Sequence, residues 1–293
     1  MRRRLDQELV RRGLVVSRQQ AQVAVAGHLV LVGGVVADKP SRLVSPDEPV
    51  VLQKTPSRFV SRGGDKLDAA LRHFSVAVAG RRALDVGAST GGFTDCLLRS
   101  GAASVHALDV GRGQLDPRLR RDPRVSVHEG VNVRHATLEL LGAPGRAEEP
   151  FDLVTADLSF ISLTVVVPVL ASLVRAGGDL VLLVKPQFEA SRADVSRGRG
   201  VVRDPALWRR ALERVGSALV ASGTGIMGAM ASPLLGAAGN AEFFVHAVHA
   251  VHAAAGPAPA AGGPAAPGER STAATAERAI EAAIAAACTM ATT

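Results

Sequence analysis

Leu84-Asp85-Val86-Gly87-Ala88-Ser89-Thr90-Gly91-Gly92-Phe93-Thr94 is the stretch on which the fold turns. A short apolar run enters a Gly/Ser/Thr turn and leaves it through an amphipathic segment containing Phe93, Leu97 and Leu98. That is the pattern of a first strand, a tight loop and a first helix in a nucleotide-type α/β domain. Glycine suits the turn because it reaches backbone angles closed to other residues and lets the main chain approach a ligand with no Cβ in the way. An ordinary strand-to-helix turn would look similar, but two features point further. Asp109 ends the next apolar run, Val105-His106-Ala107-Leu108, about 20 residues on, where an acid commonly holds a ribose hydroxyl pair. No Lys-Ser/Thr follows the loop, so it does not read as a phosphate-gripping P-loop. A nucleoside carrying little phosphate fits better, and S-adenosylmethionine is the commonest such cofactor.

Downstream, strands are expected at 105–109, 125–128, 153–157 and 180–184, with a helix at about 161–175. Alternation of this kind predicts a parallel, doubly wound sheet, in which ligands and reacting groups collect at the carboxyl ends of the strands. Asp157 and Lys185 end two of these strands. Asp157 alone could be a helix N-cap; a neighbouring terminus of opposite charge makes both of them site candidates. The Arg-rich segment 190–203 reads either as a mobile, substrate-facing flap or as a plain solvated loop. A helix follows over 204–221, with Asp204 as N-cap and Pro205 at its first position. A last strand is expected at 241–245. If it runs antiparallel to the others, Glu242 at its start lies on the catalytic edge.

Of the 293 residues, 47% are hydrophobic but only 3% aromatic, so the core is built from Val, Leu and Ala. Cys96 and Cys288 cannot form a disulfide framework, and neither has metal-ligand spacing. His246, His249 and His252 are spaced by three, which a strand turns to opposite faces, and no metal is expected. No apolar run follows Met1-Arg2-Arg3-Arg4, and the most apolar stretches are too short to span a bilayer, so a cytoplasmic protein is expected. Of the net charge of +7, an excess of five lies in residues 1–60, where ten Lys/Arg meet five Asp/Glu. A localised basic excess suggests a polyanionic partner.

That basic front reads as a small module. Leu5, Leu9 and Val10 share a helical face that Gly13 terminates, Ser17 caps a second helix ending at Gly27, and Gly33-Gly34 turns a hairpin. A closing strand follows at Val50-Val51-Leu52, and Arg11, Arg12 and Arg18 are expected on an exposed, phosphate-binding side. The series Arg4-Leu5-Asp6, Leu9, Gly13-Leu14, Ser17-Arg18, Ala21 and Gly27-His28-Leu29-Val30-Leu31-Val32-Gly33-Gly34 resembles the S4 RNA-binding domain. His28 and Gly33 depart from the Lys/Arg and Asn/Asp usual there. A short, fairly rigid linker around Phe59-Val60 leads to a helix with core face Leu67, Ala70, Leu71 and Phe74, and Lys66 is expected in its first turn, opposing the helix dipole.

Taken in order, Ser61-Arg62-Gly63-Gly64-Asp65-Lys66, the glycine turn, Asp157-Leu158-Ser159-Phe160, Lys185-Pro186-Gln187-Phe188-Glu189 and Asn240-Ala241-Glu242-Phe243 resemble the haemolysin-A (TlyA) family. The family combines an S4 domain with an FtsJ-like rRNA 2′-O-methyltransferase. The resemblance implies an α/β fold, a class I (Rossmann-like) doubly wound sheet with a small α+β S4 domain in front. It implies a catalytic Lys-Asp-Lys-Glu tetrad at Lys66, Asp157, Lys185 and Glu242. It also implies S-adenosylmethionine held by Gly87, Ala88, Ser89, Gly91, Gly92, Phe93, Asp109, Asn132 and Asp157, and rRNA contacts from Arg4, Arg11, Arg12, Arg18, Arg42 and Arg62. The expected substrate is a cytidine ribose in the RNA of the ribosomal subunits, and the basic start looks like the type that modifies both. A monomer with no membrane contact is expected, organised as S4 module 1–55, linker 56–62, methyltransferase domain 63–250 and an Ala/Pro/Gly-rich tail 251–293 with a short helix at 275–287. Two other classes stay open: a non-catalytic RNA-binding or ribosome-assembly factor, and a haemolysin-like membrane-active protein. Lys185 can act as base or as orienting donor, because Lys66 would lower its pKa while Asp157 and Glu242 would raise it.

Overall fold

The computed structural model describes residues 2–15, 17–26, 28–52, 58–142, 148–236, 239–250 and 267–292. The chain forms two compact units, Met1–Arg58 and Phe59–Thr293.

The first unit carries β1 (Arg3–Arg4), α1 (Leu5–Arg11), α2 (Arg18–Ala26), β2 (Val30–Val32), β3 (Val35–Val36), β4 (Leu43–Val44) and β5 (Val50–Leu52). Leu5 and Leu9, one helical turn apart, close with Ala21, Val25, Val30, Val32 and Val44 into its core. Gly13 follows α1 with φ +68°, the left-handed turn that satisfies its last carbonyls. Ser17 Oγ accepts from Gln20 N–H at 3.2 Å and caps α2, while the expected stop at Gly27 lies outside the described residues. Gly33 (φ +61°) and Gly34 (φ +83°) make the hairpin turn and set the register Leu31↔Val36 and Val32↔Val35. The antiparallel pairing of β1 with β4 was not expected from sequence, since two-residue strands leave no periodic signal.

The second unit runs α3 (Arg62–His73), β6 (Arg82–Val86), α4 (Gly92–Arg99), β7 (Ser104–Asp109), α5 (Pro117–Arg120), β8 (Val125–Glu129), a 3-10 turn (Val133–His135), α6 (Leu138–Leu141), β9 (Phe151–Ala156), α7 (Leu163–Leu173), β10 (Val174–Val184), α8 (Pro186–Glu189), α9 (Arg192–Arg197), α10 (Pro205–Ala221), β11 (Thr224–Ala231), β12 (Phe243–His249) and α11 (Pro267–Thr292). Its seven-stranded sheet has the order β11-β12-β10-β9-β6-β7-β8. The pairs β6–β7, β6–β9, β7–β8 and β9–β10 are parallel, and β12 is antiparallel to both β10 and β11. The sheet is therefore α/β and doubly wound, and the antiparallel β12 brings the chain before Phe243 to the edge where β6, β9 and β10 end.

Four local expectations need correction. β11 was unforeseen: Thr-Gly-Ile-Met-Gly-Ala-Met-Ala is poor in strand formers, and its extension comes from pairing with β12. β10 starts at Val174, immediately after α7, with an irregularity before Asp179. The helix expected at 275–287 is the inner part of the 26-residue α11, whose Ile280, Ala283, Ile284 and Ala287 are buried with α10 and the sheet. Lys66 is the fifth residue of α3, a turn deeper than expected, and it is buried. Of the linker, Phe59 is buried and Val60 N–H donates to Asp95 Oδ2 at 2.9 Å; residues 53–57 and 251–266 lie outside the described chain.

Candidate active site

The glycine turn is shaped by contacts on both of its sides. Gly87 has φ +83°, and a Cβ there would stand 2.5 Å from the Asp157 carbonyl oxygen, so the ends of β6 and β9 can approach only because residue 87 has no side chain. Gly91 and Gly92 serve packing: added Cβ atoms would meet Leu119 Cδ1 at 2.3 Å and Ser61 Oγ at 2.2 Å. Gly92 edges the cavity beside the turn, and Gly91 lies just behind that edge, against Leu119 and Leu115. Phe93 is buried, stacks on Phe244 with ring centroids 6.1 Å apart, and also lines the cavity beside the turn. Beneath the turn Asp85 is fully buried: Thr94 Oγ1 donates to its Oδ2 at 2.6 Å, and its Oδ1 has no hydrogen-bond partner among the described residues. Burial pushes that carboxyl up to about 7.

A groove of about 590 Å³ opens on one side of the turn, lined by Gly87, Ser89, Leu108, Asp109, Asn132 and Asp157, with Val110, Val133, Leu158 and Ile161 supplying apolar walls. Asp109 is fixed at the end of β7, where its two oxygens accept from Ser89 N–H and Gly111 N–H, each at 2.7 Å. Asn132 Oδ1 accepts from Arg134 N–H at 3.0 Å, capping the 3-10 turn. The size and lining suit a nucleoside: flat apolar walls, an acid at the rim and an amide beyond it.

Adjoining it, a cavity of about 280 Å³ is lined by Lys66, Asp157, Lys185 and Glu242 together with Ser61, Arg62, Gly63 and the glycine turn. The four charged side chains come from α3, the end of β9, the end of β10 and the approach to β12, and they form two ion pairs. Lys66 Nζ donates to Glu242 Oε2 at 2.6 Å, with both side chains more than nine-tenths buried. Lys185 Nζ lies 2.6 Å from Asp157 Oδ1, in ionic contact without hydrogen-bond alignment. Its directed hydrogen bond, 3.0 Å, goes to Ser159 Oγ. Ser159 was not singled out in the sequence, although it sits in the Asp157-Leu158-Ser159-Phe160 run. Phe160 was quoted there without a role; it is 92% exposed, holds φ +65°, and leans on Phe188 with centroids 5.2 Å apart. Gly236 was missed too: a Cβ there would stand 2.4 Å from Glu242 Oε1.

Glu189 ties the two strand-end loops together. Its carboxylate, buried and pushed up by that burial, accepts from Leu163 N–H at 2.7 Å and from Ser162 Oγ. The Arg-rich segment is less free than the flap expectation implied. Its first half forms α9, and its second half is bonded to Asn240.

In the first unit the basic side chains are largely committed. Arg4 and Arg18 both bind Asp6, whose carboxyl they hold down at about 2. Arg11 and Arg12 bind Glu8 at 2.6 and 2.8 Å, and Glu8 is likewise held at about 2. Arg12 also donates to the carbonyls of Ser45, Pro46 and Glu48 and is only 19% exposed, so it braces the module and does not stand on its open face as expected. Arg42 pairs with Glu48 at 3.1 Å, and Arg62, the first residue of α3, is exposed at the cavity. His246 binds Asp179 Oδ1 at 2.7 Å, and His252 lies outside the described residues.

The FtsJ-like methyltransferase pattern matches residues 59–249 and the S4 domain pattern residues 3–50. A Mycobacterium tuberculosis protein described as 16S/23S rRNA (cytidine-2′-O)-methyltransferase TlyA is 49% identical over 245 residues, covering 83% of this chain and 89% of its own. Hemolysin A of Brachyspira hyodysenteriae is 38% identical over 244 residues, covering 83% and 98%. A solved structure of a hemolysin-named protein from Streptococcus thermophilus superposes with a TM-score of 0.65 at 38% identity, covering 85% of this chain and 89% of that one. Among the described residues no helix is long and apolar enough to cross a membrane.

Proposed function

The chain belongs to the FtsJ-like methyltransferase family, in its S4-bearing TlyA branch, and on that premise we propose that it methylates the ribose 2′-hydroxyl of cytidine in ribosomal RNA, using S-adenosylmethionine. The observation that carries this reading is the cavity in which Lys66, Asp157, Lys185 and Glu242 converge beside the glycine turn. Neither an RNA-binding scaffold nor a membrane-active protein needs two lysines and two carboxylates brought from four separate elements to one ligand groove.

The groove fits the cofactor by its donor set. Asp109 would take the ribose hydroxyls, the apolar walls the adenine, Asn132 its edge, and Ser89 with the turn's main chain the methionine portion. When bound, S-adenosylmethionine supplies a methyl carbon already activated by a sulfonium, so the remaining task is to align and deprotonate a weak nucleophile. Lys185, held by Asp157 and Ser159, would orient the 2′-oxygen and, in its amine form, take the hydroxyl proton at Nζ as the C–O bond forms and the methyl–sulfur bond breaks, the cofactor leaving as a neutral thioether. Lys66, held by Glu242, sets positive charge beside the oxygen and the adjoining phosphate. Phe160, exposed at the mouth, offers a face on which the base of the target nucleotide stacks. Holding oxygen and methyl carbon in line is the larger effect, about 7–11 kcal/mol against roughly 3–5 kcal/mol for proton transfer.

The test is transfer of tritiated methyl from the cofactor to purified ribosomal subunits, with the modified ribose mapped afterwards. Incorporation into cytidine that Lys185→Ala abolishes is expected. No incorporation, or incorporation indifferent to Lys185→Ala, overturns the reading.

A further inference from the structure

After α9 the chain passes through Gly198-Arg199-Gly200, a turn fixed in an unusual conformation. Arg199 holds φ +51°, a left-handed angle for a residue with a Cβ, and Gly200 holds φ +87°. The turn closes on itself through Arg199 N–H to the Ser196 carbonyl, Gly200 N–H to the Val195 carbonyl and Val201 N–H to the Gly198 carbonyl, all at 3.0 Å. A Cβ on residue 198 would stand 2.0 Å from the Val201 carbonyl oxygen, so only glycine permits it.

What holds the turn is Asn240. Its side chain is 2% exposed, and its Oδ1 accepts from Val202 N–H at 2.8 Å while its Nδ2 donates to the Gly200 carbonyl at 3.0 Å. Trp208 Nε1–H completes the anchor by donating to the Val202 carbonyl at 2.9 Å. Asn240 stands two residues before Glu242 and accepts through its own carbonyl from Gly236 N–H at 2.9 Å, and Gly236 lies against the Glu242 carboxylate. One buried amide therefore fixes the Arg199 turn to the segment that delivers a tetrad residue.

The charge on this turn is uncommitted. Arg199 is exposed, and among the described residues no carboxylate forms an ion pair with it or with exposed Arg192 and Arg203. Arg197, on the same stretch, is by contrast paired with Asp194. A strained, glycine-flanked turn stapled by a buried side chain is costly for a solvated loop; it is explained if the guanidinium must be presented in one place. Planar guanidinium groups bind phosphate oxygens through two parallel hydrogen bonds.

We propose that the Gly198-Arg199-Gly200 turn is a preformed seat for a backbone phosphate of the RNA substrate next to the target nucleotide, and that Asn240 is the positioning residue that builds it. The inference rests on the methyltransferase reading for its substrate, but its test does not depend on turnover. Binding of an unmodified rRNA fragment to the full chain, followed by fluorescence anisotropy across a salt series, is measured for wild type, Arg199→Ala, Arg199→Lys, Asn240→Ala, Arg199→Ala/Asn240→Ala and the control Arg197→Ala. Losing one phosphate contact is expected to weaken binding about tenfold and to lower the slope of log affinity against log salt by about 0.7–0.9. Arg199→Lys recovers part of the loss, Arg197→Ala matches wild type, and cofactor affinity by calorimetry is unchanged throughout. Asn240→Ala weakens RNA binding as much as Arg199→Ala, and the double variant is no weaker than either single one. Wild-type affinity and slope in Arg199→Ala overturn the seat. If instead Asn240→Ala leaves RNA binding intact, or the two losses multiply, Asn240 does not build it. A wild-type chain that binds RNA in this manner yet transfers no methyl group would sink the enzymatic reading and leave the seat standing.

Discussion

Replacing Lys66 by methionine separates the structural cost of the tetrad from its chemistry. In the native chain Lys66 and Glu242 are 9% and 4% exposed and meet at 2.6 Å, so each is the other's substitute for water. Taking away the lysine strands beside Gly236 a carboxylate that is 4% exposed and has lost its counter-ion. An uncompensated buried charge of this kind costs roughly 3–5 kcal/mol. For a unit of this size each kcal/mol lowers Tm by about 2–4 °C, so a fall of roughly 6–20 °C is expected. Lys185→Met removes an equally close contact, but from a more open pair whose side chains are 12% and 23% exposed, so a smaller loss than for Lys66→Met is expected. Lys66→Met/Glu242→Leu removes both charges and is expected to return to within about 1 kcal/mol of wild type, since a buried pair gains little over apolar residues of similar volume. All three variants lose methyl transfer. Scanning calorimetry and urea unfolding read the stability, and tritiated-methyl transfer reads the chemistry. Equal Tm losses for Lys66→Met and Lys185→Met, or a double variant as unstable as the single one, would refute the reasoning.

The buried Asp85 makes stability pH-dependent. Its carboxyl is moved from an ordinary 3.8 to about 7, so between those values the folded state holds a proton that the unfolded chain has lost, and stability falls as pH rises from about 4 to about 7. At 1.36 kcal/mol per pH unit the full loss is roughly 4 kcal/mol. Asp85→Asn should flatten that limb, and unchanged urea midpoints across the window in wild type would count against the assignment. Phe160→Ala removes an exposed ring and leaves the backbone with a Cβ at the same left-handed angle, so Tm should hold while KM for RNA rises roughly 5- to 150-fold, the equivalent of about 1–3 kcal/mol of base stacking. An unchanged KM would dismiss the ring as a base platform. Gly236→Ala places a methyl carbon 2.4 Å from Glu242 Oε1, so the carboxylate must move, and kcat should drop at least about tenfold with cofactor affinity intact; near-normal turnover would mean that Glu242 tolerates displacement.

Much of this protein is written locally in its chain. The step from an apolar run through glycines to an amphipathic segment determined β6, the turn and α4, because period and backbone freedom are properties of neighbouring residues. Strand-ending charges at Asp157 and Lys185 were legible for the same reason, as were the caps and hairpin of the first unit. Other features depend on partners remote in sequence and could come only from the tertiary structure. β11 is a strand by virtue of β12, not of its own composition. Lys66 pairs with Glu242 across 176 positions, and Gly91 is glycine because Leu119 lies against it. Arg12 reads as a surface cation until the 45–48 loop folds over it and takes its donors. Side-chain type sets which chemistry is available, but desolvation and pairing set which charges are free to use it, and both arise only when distant segments exclude water from one another.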